Sequence, residues 1–339
     1  MQTEHLSSEE SDLQRAADLL RNGELVAIPT ETVYGLAADA LNGKAVAAVF
    51  KAKGRPADNP LIVHIADISE LKNLVTNIPP QAMALAEAFW PGPLTMVFPK
   101  APCIPPEVSA GLPTVAVRMP SHPIARKLIS LSGCPLAAPS ANRSGIPSPT
   151  EARRVAEDMD GRIAAVVDGG TCDVGVESTV IDVSAVPIRL LRPGAVTVEM
   201  LASVVGEVAV DAAVTKPLAQ GAAAASPGMK YKHYAPKAKV ILVDGSPQDY
   251  VAYVNAHAAK GVVALCFDGE EKGLTVPYIT YGARENHTQQ AHRVFEALRL
   301  LDEQHAQVAY TACPSQEGVG LAVYNRLLRA AGFEVVTLA

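Results

Sequence analysis

Between Asp211 and Ser226 the periodic placement of apolar residues stops. The stretch holds Lys216-Pro217, Gln220-Gly221 and a run of four alanines, and no spacing in it builds an apolar face. A chain interrupted in this way reads as two folded bodies and a tether, in keeping with 339 residues at roughly 150 per domain. The expected parts are a first domain over residues 11–210, a linker or lid over 211–237, and a second domain over 238–339.

Downstream of the linker, strand-like and helix-like stretches alternate: strands at Lys239 to Val243, Val262 to Phe267, Gln307 to Ala312 and Phe333 to Leu338, with helices at Gln248 to Ala259, Thr288 to His305 and Gly318 to Ala331. That alternation predicts a small Rossmann-like, doubly wound domain. Upstream, Ser11 or Ser8 is placed to cap a helix with Leu13, Ala16, Ala17 and Leu20 on one face, ended by Asn22-Gly23. Short strands are predicted at Glu24 to Ile28, Leu61 to Ala66, Thr114 to Met119, Ala164 to Asp168, Ser178 to Val183 and Ile188 to Arg192. The fold class is α/β, with a mixed sheet in the first domain.

Composition excludes several classes. At 49% apolar and 19% charged residues the chain is not disordered by composition. A net charge of -6 disfavours a strongly basic nucleic-acid binder, though not a local basic patch. No apolar run approaches the roughly 18 residues of a membrane span. The start, Met-Gln-Thr-Glu-His-Leu-Ser-Ser-Glu-Glu, has neither the basic nor the apolar part of a signal peptide. Cys103, Cys134, Cys172, Cys266 and Cys313 are odd in number and widely spaced, which suits scattered thiols in a reducing cytoplasm rather than a disulfide framework or zinc site.

In the first domain the unusual polar groups lie beside Pro and Gly at strand ends. Pro29-Thr30-Glu31-Thr32-Val33-Tyr34-Gly35-Leu36 follows the first strand, and Lys53-Gly54-Arg55 follows an amphipathic segment. Asn59-Pro60 opens a strand in which His64 shares a face with Ile62, opposite Leu61, Val63 and Ile65. Alone, such a histidine is more often a satisfied core residue than a ligand. Trp90-Pro91-Gly92-Pro93-Leu94-Thr95 reads as a rigid turn, and the single tryptophan as packing. Arg118 shares a strand face with Thr114 and Ala116, so it needs an anionic partner, either a protein carboxylate or a ligand. Ala138-Pro139-Ser140-Ala141-Asn142 is a turn of small and hydroxyl residues, Glu177-Ser178-Thr179 opens a further strand, and Arg192-Pro193-Gly194 closes one. Each cation could be a solvated surface charge. Their setting in apolar, Pro/Gly-shaped segments fits a bound polyanion better.

The sequence has no G-x-x-x-x-G-K-[ST] loop, no G-x-G-x-x-G, no G-x-S-x-G elbow and no zinc spacing. A site without these works by positioning and charge stabilisation, as phosphoryl and nucleotidyl transfer sites do.

In these segments the chain resembles the YrdC/Sua5 family in its longer two-domain form. The resemblance rests on Pro29 to Leu36, the K-x-R signature Lys53-Gly54-Arg55, Asn59 to His64, Trp90 to Thr95, Val117-Arg118-Met119-Pro120, the S-x-N signature Ser140-Ala141-Asn142 and Glu177 to Val180. It extends to Ser226-Pro-Gly-Met-Lys-Tyr-Lys-His-Tyr-Ala-Pro236 and Asn325-Arg326-Leu327, and so covers nearly the whole chain. It implies a twisted mixed sheet around a concave, positively charged cavity, followed by a Rossmann-like domain. It also implies a nucleotidyltransferase that makes L-threonylcarbamoyl-adenylate and pyrophosphate from L-threonine, bicarbonate or CO2, and ATP with Mg²⁺. Partner proteins then modify adenosine 37 of tRNA, which this chain itself touches weakly or not at all.

Carried over residue by residue, the implied threonine contacts are Thr32, His64, Arg118 (on the threonine carboxylate), Ala138 through its backbone, Ser140 and Ser178. The implied ATP contacts are Arg55, Asn59, Thr114, Ser140, Asn142, Ser148 and Arg192, with Lys53 and Arg55 as the catalytic cations on the phosphates and Tyr231 and Tyr234 closing over the site. Two other readings compete. One is an RNA-binding surface made of Lys230, Lys232, His233 and Lys237 interleaved with the same tyrosines. The other is a carbamoyl transferase on another acceptor.

Overall fold

The computed structural model describes residues 2–217 and 234–338. Most of the expected lid, including Tyr231, lies outside the described residues. The chain divides into two units, one of 2–144 with 148–214, the other of 145–147 and 215–217 with 234–338.

The first unit carries eleven strands: β1 (Glu4–Leu6), β2 (Val26–Ile28), β3 (Gly35–Asp39), β4 (Ile62–His64), β5 (Leu94–Pro99), β6 (Thr114–Arg118), β7 (Leu136–Ala137), β8 (Ala165–Val167), β9 (Thr179–Asp182), β10 (Ile188–Arg192) and β11 (Val208–Val210). They form one sheet in the order β1-β8-β2-β3-β7-β4-β6-β5-β9-β10-β11. Its directions are mixed: β4 and β6 run parallel, β5 opposes β6, β9 follows β5, and β10 opposes β9. Side-chain alternation sorts the two faces. Leu61, Val63, Met96, Val117, Ile181 and Leu190 join the main core, while Ile62, Val97, Ala116, Val180 and Leu191 cluster separately. The site residues project beside this smaller cluster.

The helix at Glu10–Arg21 buries Leu13, Ala16, Ala17 and Leu20 as its spacing predicts, but neither Ser8 nor Ser11 caps it. Its N-cap is Glu9, with no side-chain cap bond, because the Asp12 carboxylate in the first turn instead takes both the N–H and the hydroxyl of Ser7. Six strands of the described residues escape sequence reading, four of them only two or three residues long; the other two are more telling. Gly35–Asp39 has no β-branched residue to mark it. Leu94–Pro99 starts inside the segment read as a turn, and there the buried Trp90 indole N–H donates to the Leu94 carbonyl at 2.7 Å.

The second unit holds β12 (Lys239–Asp244), β13 (Val262–Cys266), β14 (Tyr278–Thr280), β15 (Val308–Ala312) and β16 (Val335–Thr337) in the order β14-β13-β15-β12-β16. Every pair in it is parallel. Parallel neighbours need crossover connections, and helices at Pro247–Ala256, His287–Glu303 and Gly320–Ala330 lie between the strands. The first of these is capped by Ser246, whose hydroxyl accepts from the Asp249 N–H.

Candidate functional site

Strand direction gathers the site. The C-terminal ends of β4, β6 and β10 and the N-terminal ends of β5 and β9 meet along one margin of the sheet. In register, His64 pairs with Arg118 and Arg118 with Thr95, so these three form a row across β4, β6 and β5. Ser178 stands immediately before β9, and Arg192 ends β10. All five residues are buried.

Arg118 is held on three sides. Its Nη1 donates to Thr32 Oγ1 at 2.9 Å and its Nε to the Gly92 carbonyl at 3.3 Å. Its Nη2 lies 2.6 Å from Glu31 Oε1, a close buried ion pair. The sequence leaves the anionic partner of Arg118 open, and the resemblance supplies a ligand carboxylate; in the structure a protein carboxylate stands there. Burial works to raise the Glu31 carboxyl, but the Arg118 guanidinium outweighs it and holds the group below its ordinary range. The loop that carries Glu31 is tied down on both sides. Thr30 Oγ1 donates to the Val33 carbonyl at 2.6 Å, and the N–H groups of Val174 and Gly175 donate to the carbonyls of Glu31 and Thr32.

His64 is buried and its Nδ1 has no hydrogen-bond partner among the described residues, so it is not a fully satisfied core histidine. Burial, with the neighbouring Arg118 charge, pushes its pKa down from 6.5 to about 3, and it is a neutral imidazole at physiological pH. A consequence for stability follows by linkage. The unfolded chain binds a proton near pH 6.5 that the folded chain refuses, so this contribution is complete above pH 6.5 and is lost as pH falls toward 3. Stability should drop by up to about 1.4 kcal/mol per pH unit below that point. Urea midpoints at pH 7, 6 and 5 should fall more steeply for the unaltered chain than for His64→Gln; equal slopes would exclude His64 as the source.

Along the same margin Ser178 Oγ and Thr95 Oγ1 are 2.8 Å apart, and Arg192 donates to the Ser178 carbonyl at 3.0 Å and to its hydroxyl at 3.1 Å. Gly194 permits this turn: a Cβ there would sit 2.4 Å from the Thr179 nitrogen. Ser148 donates to Glu177 Oε1 at 2.6 Å.

Lys53 departs from its expected place on the phosphates. It is buried, and its ammonium donates to the carbonyls of Ser140 at 2.5 Å and Asn142 at 2.6 Å. Burial, and next the Arg55 charge, lower its pKa well below the ordinary lysine value. Its visible task is to shape the Ser140–Asn142 turn. Arg55 is half-buried beside the Phe50 ring, with a long 3.4 Å contact to the Asn59 carbonyl. Asn59 is fully buried, and neither side-chain atom has a partner among the described residues. Asn142 donates from Nδ2 to the Arg143 carbonyl.

Three further expected contacts lie apart from this row or are partly engaged. The Ala138 N–H is taken by the Ile62 carbonyl at 3.0 Å, which leaves only its carbonyl for a ligand. Thr114 opens β6, four residues from Arg118, about 13 Å away along a strand. Tyr234 is buried in the second unit with a positive φ of 63°, its ring 5.1 Å from that of Phe295 and beneath the Arg326 guanidinium. Sequence reasoning assigned no role to Glu31, Thr95 or Glu177. The signal for Glu31 was the arginine itself, since a strand-borne cation demands an anion and Glu31 lies in a motif already singled out.

Comparison with known proteins places the chain. A model of the Sua5–YciO–YrdC family, described as "Telomere recombination", matches residues 18–194, and one described as "Threonylcarbamoyl-AMP synthase, C-terminal domain" matches residues 196–332. The chain is 47% identical to the threonylcarbamoyl-AMP synthase of Pyrococcus abyssi, covering 97% of this chain and 96% of that one. It is 46% identical to that of Bacillus subtilis, covering 98% and 97%. The crystal structure of P. abyssi Sua5 complexed with L-threonine superposes with a TM-score of 0.92 at 43% identity, covering both chains fully.

Proposed function

The chain belongs to the YrdC/Sua5 family of threonylcarbamoyl-AMP synthases, and from that premise we propose that it joins L-threonine, bicarbonate or CO2, and ATP into L-threonylcarbamoyl-adenylate with release of pyrophosphate. The product then serves partner proteins that modify adenosine 37 of tRNA in the cytoplasm. No described helix is long and apolar enough to cross a membrane.

The observation that carries this reading is the buried row of His64, Arg118 and Thr95 with Thr32, Ser178 and Arg192 beside it. It offers a cation for a carboxylate and hydroxyls for a small polar side chain, and the threonine complex of the P. abyssi relative supports threonine as the occupant. The threonine ammonium first gives up a proton to solvent; the free amine then attacks the carbon of CO2, one C=O electron pair moves onto oxygen, and a second proton leaves the nitrogen for solvent, giving a carbamate. A carbamate oxygen then attacks the α-phosphorus, and the bond to the pyrophosphate oxygen breaks. No protein nucleophile is needed. The nearby Cys172 thiol is buried and pushed up to about 12. His64, neutral and with Nδ1 open, accepts a hydrogen bond from the substrate. Arg55 and Arg192 offset phosphate charge, and Asn59, Ser140, Asn142, Ser148 and Thr114 orient the nucleotide. Lys53 holds the turn from which two of these project.

Among the described residues no three His, Cys, Asp or Glu side chains come together to hold a metal. A Mg²⁺ ion that arrives with ATP fits this, because it keeps most of its waters and takes few protein ligands. When bound it neutralises phosphate charge.

Pyrophosphate release from ATP should require L-threonine and bicarbonate together and should stop on chelation of Mg²⁺, with the adenylate detected by mass spectrometry. Release that proceeds without threonine, or that needs carbamoyl phosphate instead, would overturn the assignment.

A further inference from the structure

We propose that Glu31 receives the α-ammonium group of the amino-acid substrate, so that Arg118 and Glu31 together read a zwitterion and Glu31 sets the preference for an amine over a hydroxyl at Cα. The assignment rests on L-threonine being the substrate.

A free amino acid brings two opposite charges a few ångströms apart. A pocket with only a buried arginine satisfies one and strands the other, and an unpaired buried charge is costly. The structure holds both complements side by side, Arg118 and Glu31, each with 5% or less of its surface exposed. Glu31 has acceptor capacity to spare. A carboxylate has about four lone-pair sites, and although the backbone N–H groups of Glu31 and Ser121 act on it, neither oxygen has a well-aligned hydrogen bond among the described residues, whereas buried polar groups are as a rule bonded. An ammonium carries three donors, which is what these oxygens lack. Arg118 keeps its orientation without Glu31, since Thr32 Oγ1 and the Gly92 carbonyl already hold it. Nor can the loop easily carry Glu31 away when substrate enters, because the Val174 and Gly175 N–H groups pin the carbonyls of Glu31 and Thr32. The carboxylate is therefore the anion beside Arg118 that stays in place for a substrate amine.

Binding measured by calorimetry in the presence of a non-hydrolysable ATP analogue tests this. The ligands are L-threonine and its α-hydroxy counterpart, 2,3-dihydroxybutanoate of matching stereochemistry. The unaltered chain should prefer threonine by roughly 100-fold or more, as sites with a buried group waiting for a substrate N–H do. In Glu31→Gln the preference should collapse toward unity, by loss of threonine affinity and not of hydroxy-acid affinity, with ATP-analogue affinity unchanged. Glu31→Asp, which keeps the charge, should retain part of the preference, and it decides the matter if the glutamine variant does not fold. Equal weakening of both ligands would overturn the proposal and leave Glu31 as a support for Arg118. Undiminished threonine preference in Glu31→Gln would overturn it too, as would complete loss of the preference in a folded Glu31→Asp whose hydroxy-acid affinity is no better than that of the glutamine variant. If the unaltered chain does not bind threonine at all, the substrate reading falls first and the role of Glu31 with it.

Discussion

Replacing Arg118 with alanine should abolish saturation by threonine and destabilise the fold, while leaving ATP affinity nearly intact. The guanidinium makes three separate contacts, to Thr32, Gly92 and Glu31. Deleting it leaves the buried Glu31 carboxylate without its cation, a change that costs about 3–5 kcal/mol. Threonine loses the partner for its own carboxylate, and loss of a buried charged pair costs about 2–5 kcal/mol of binding. Arg118→Lys should recover little of either, because a point charge cannot span three acceptors that a planar fork reaches. Denaturant titration and the threonine KM, read together with ATP-analogue binding, check this. Equal losses of threonine and ATP binding would mark Arg118 as a structural residue alone.

Lys53→Met should lower turnover by about 10- to 100-fold, the rate equivalent of about 1–3 kcal/mol lost in a turn that orients the nucleotide, with a smaller change in threonine affinity. In a site that works by charge alone the obvious reading is a lysine on a phosphate. The structure directs the effect differently. The Lys53 ammonium sits between the carbonyls of Ser140 and Asn142, and its removal leaves two buried acceptors short of a donor, at about 1–3 kcal/mol each. The turn bearing Ser140 and Asn142 then loses its shape, and nucleotide orientation is lost with it. Two readouts separate this from phosphate contact. The variant should show a lowered Tm without any ligand, and its turnover should not recover when Mg²⁺ is raised. Unchanged turnover would remove Lys53 from the site altogether.

The parts of this site that could be read from sequence are those where local rules apply. Strands β12 and β13 stand out by their apolar, β-branched runs, and the face shared by Ile62 and His64 follows from alternation. The motif residues Thr32, His64, Arg118 and Ser178 do come together, because Pro and Gly at strand ends place each at the same margin. What escaped was pairwise chemistry between distant segments. That Arg118 meets Glu31, or that Lys53 turns inward to two carbonyls, depends on strand order, and the order β7-β4-β6-β5-β9 is not written in any window of the chain. Tyr234 illustrates the opposite error. Its polar, aromatic and basic neighbours suggest an exposed stacking surface, yet its ring is covered by Phe295 and Arg326.

The pairing of β5 with β9 has a consequence for synthesis on the ribosome. Translation is vectorial, at about 5–20 residues per second, so β5 and β6 emerge well before Thr179–Asp182 does. Until then β5 is an open edge of apolar Leu-Thr-Met-Val-Phe, a template for unwanted pairing with another nascent chain. Only when the hairpin of β9 and β10 arrives is that edge covered, and the same event delivers Ser178 and Arg192. The chain thus covers this edge and gains two of its site residues in one step, and a ribosome stalled before Thr179 leaves a product with neither.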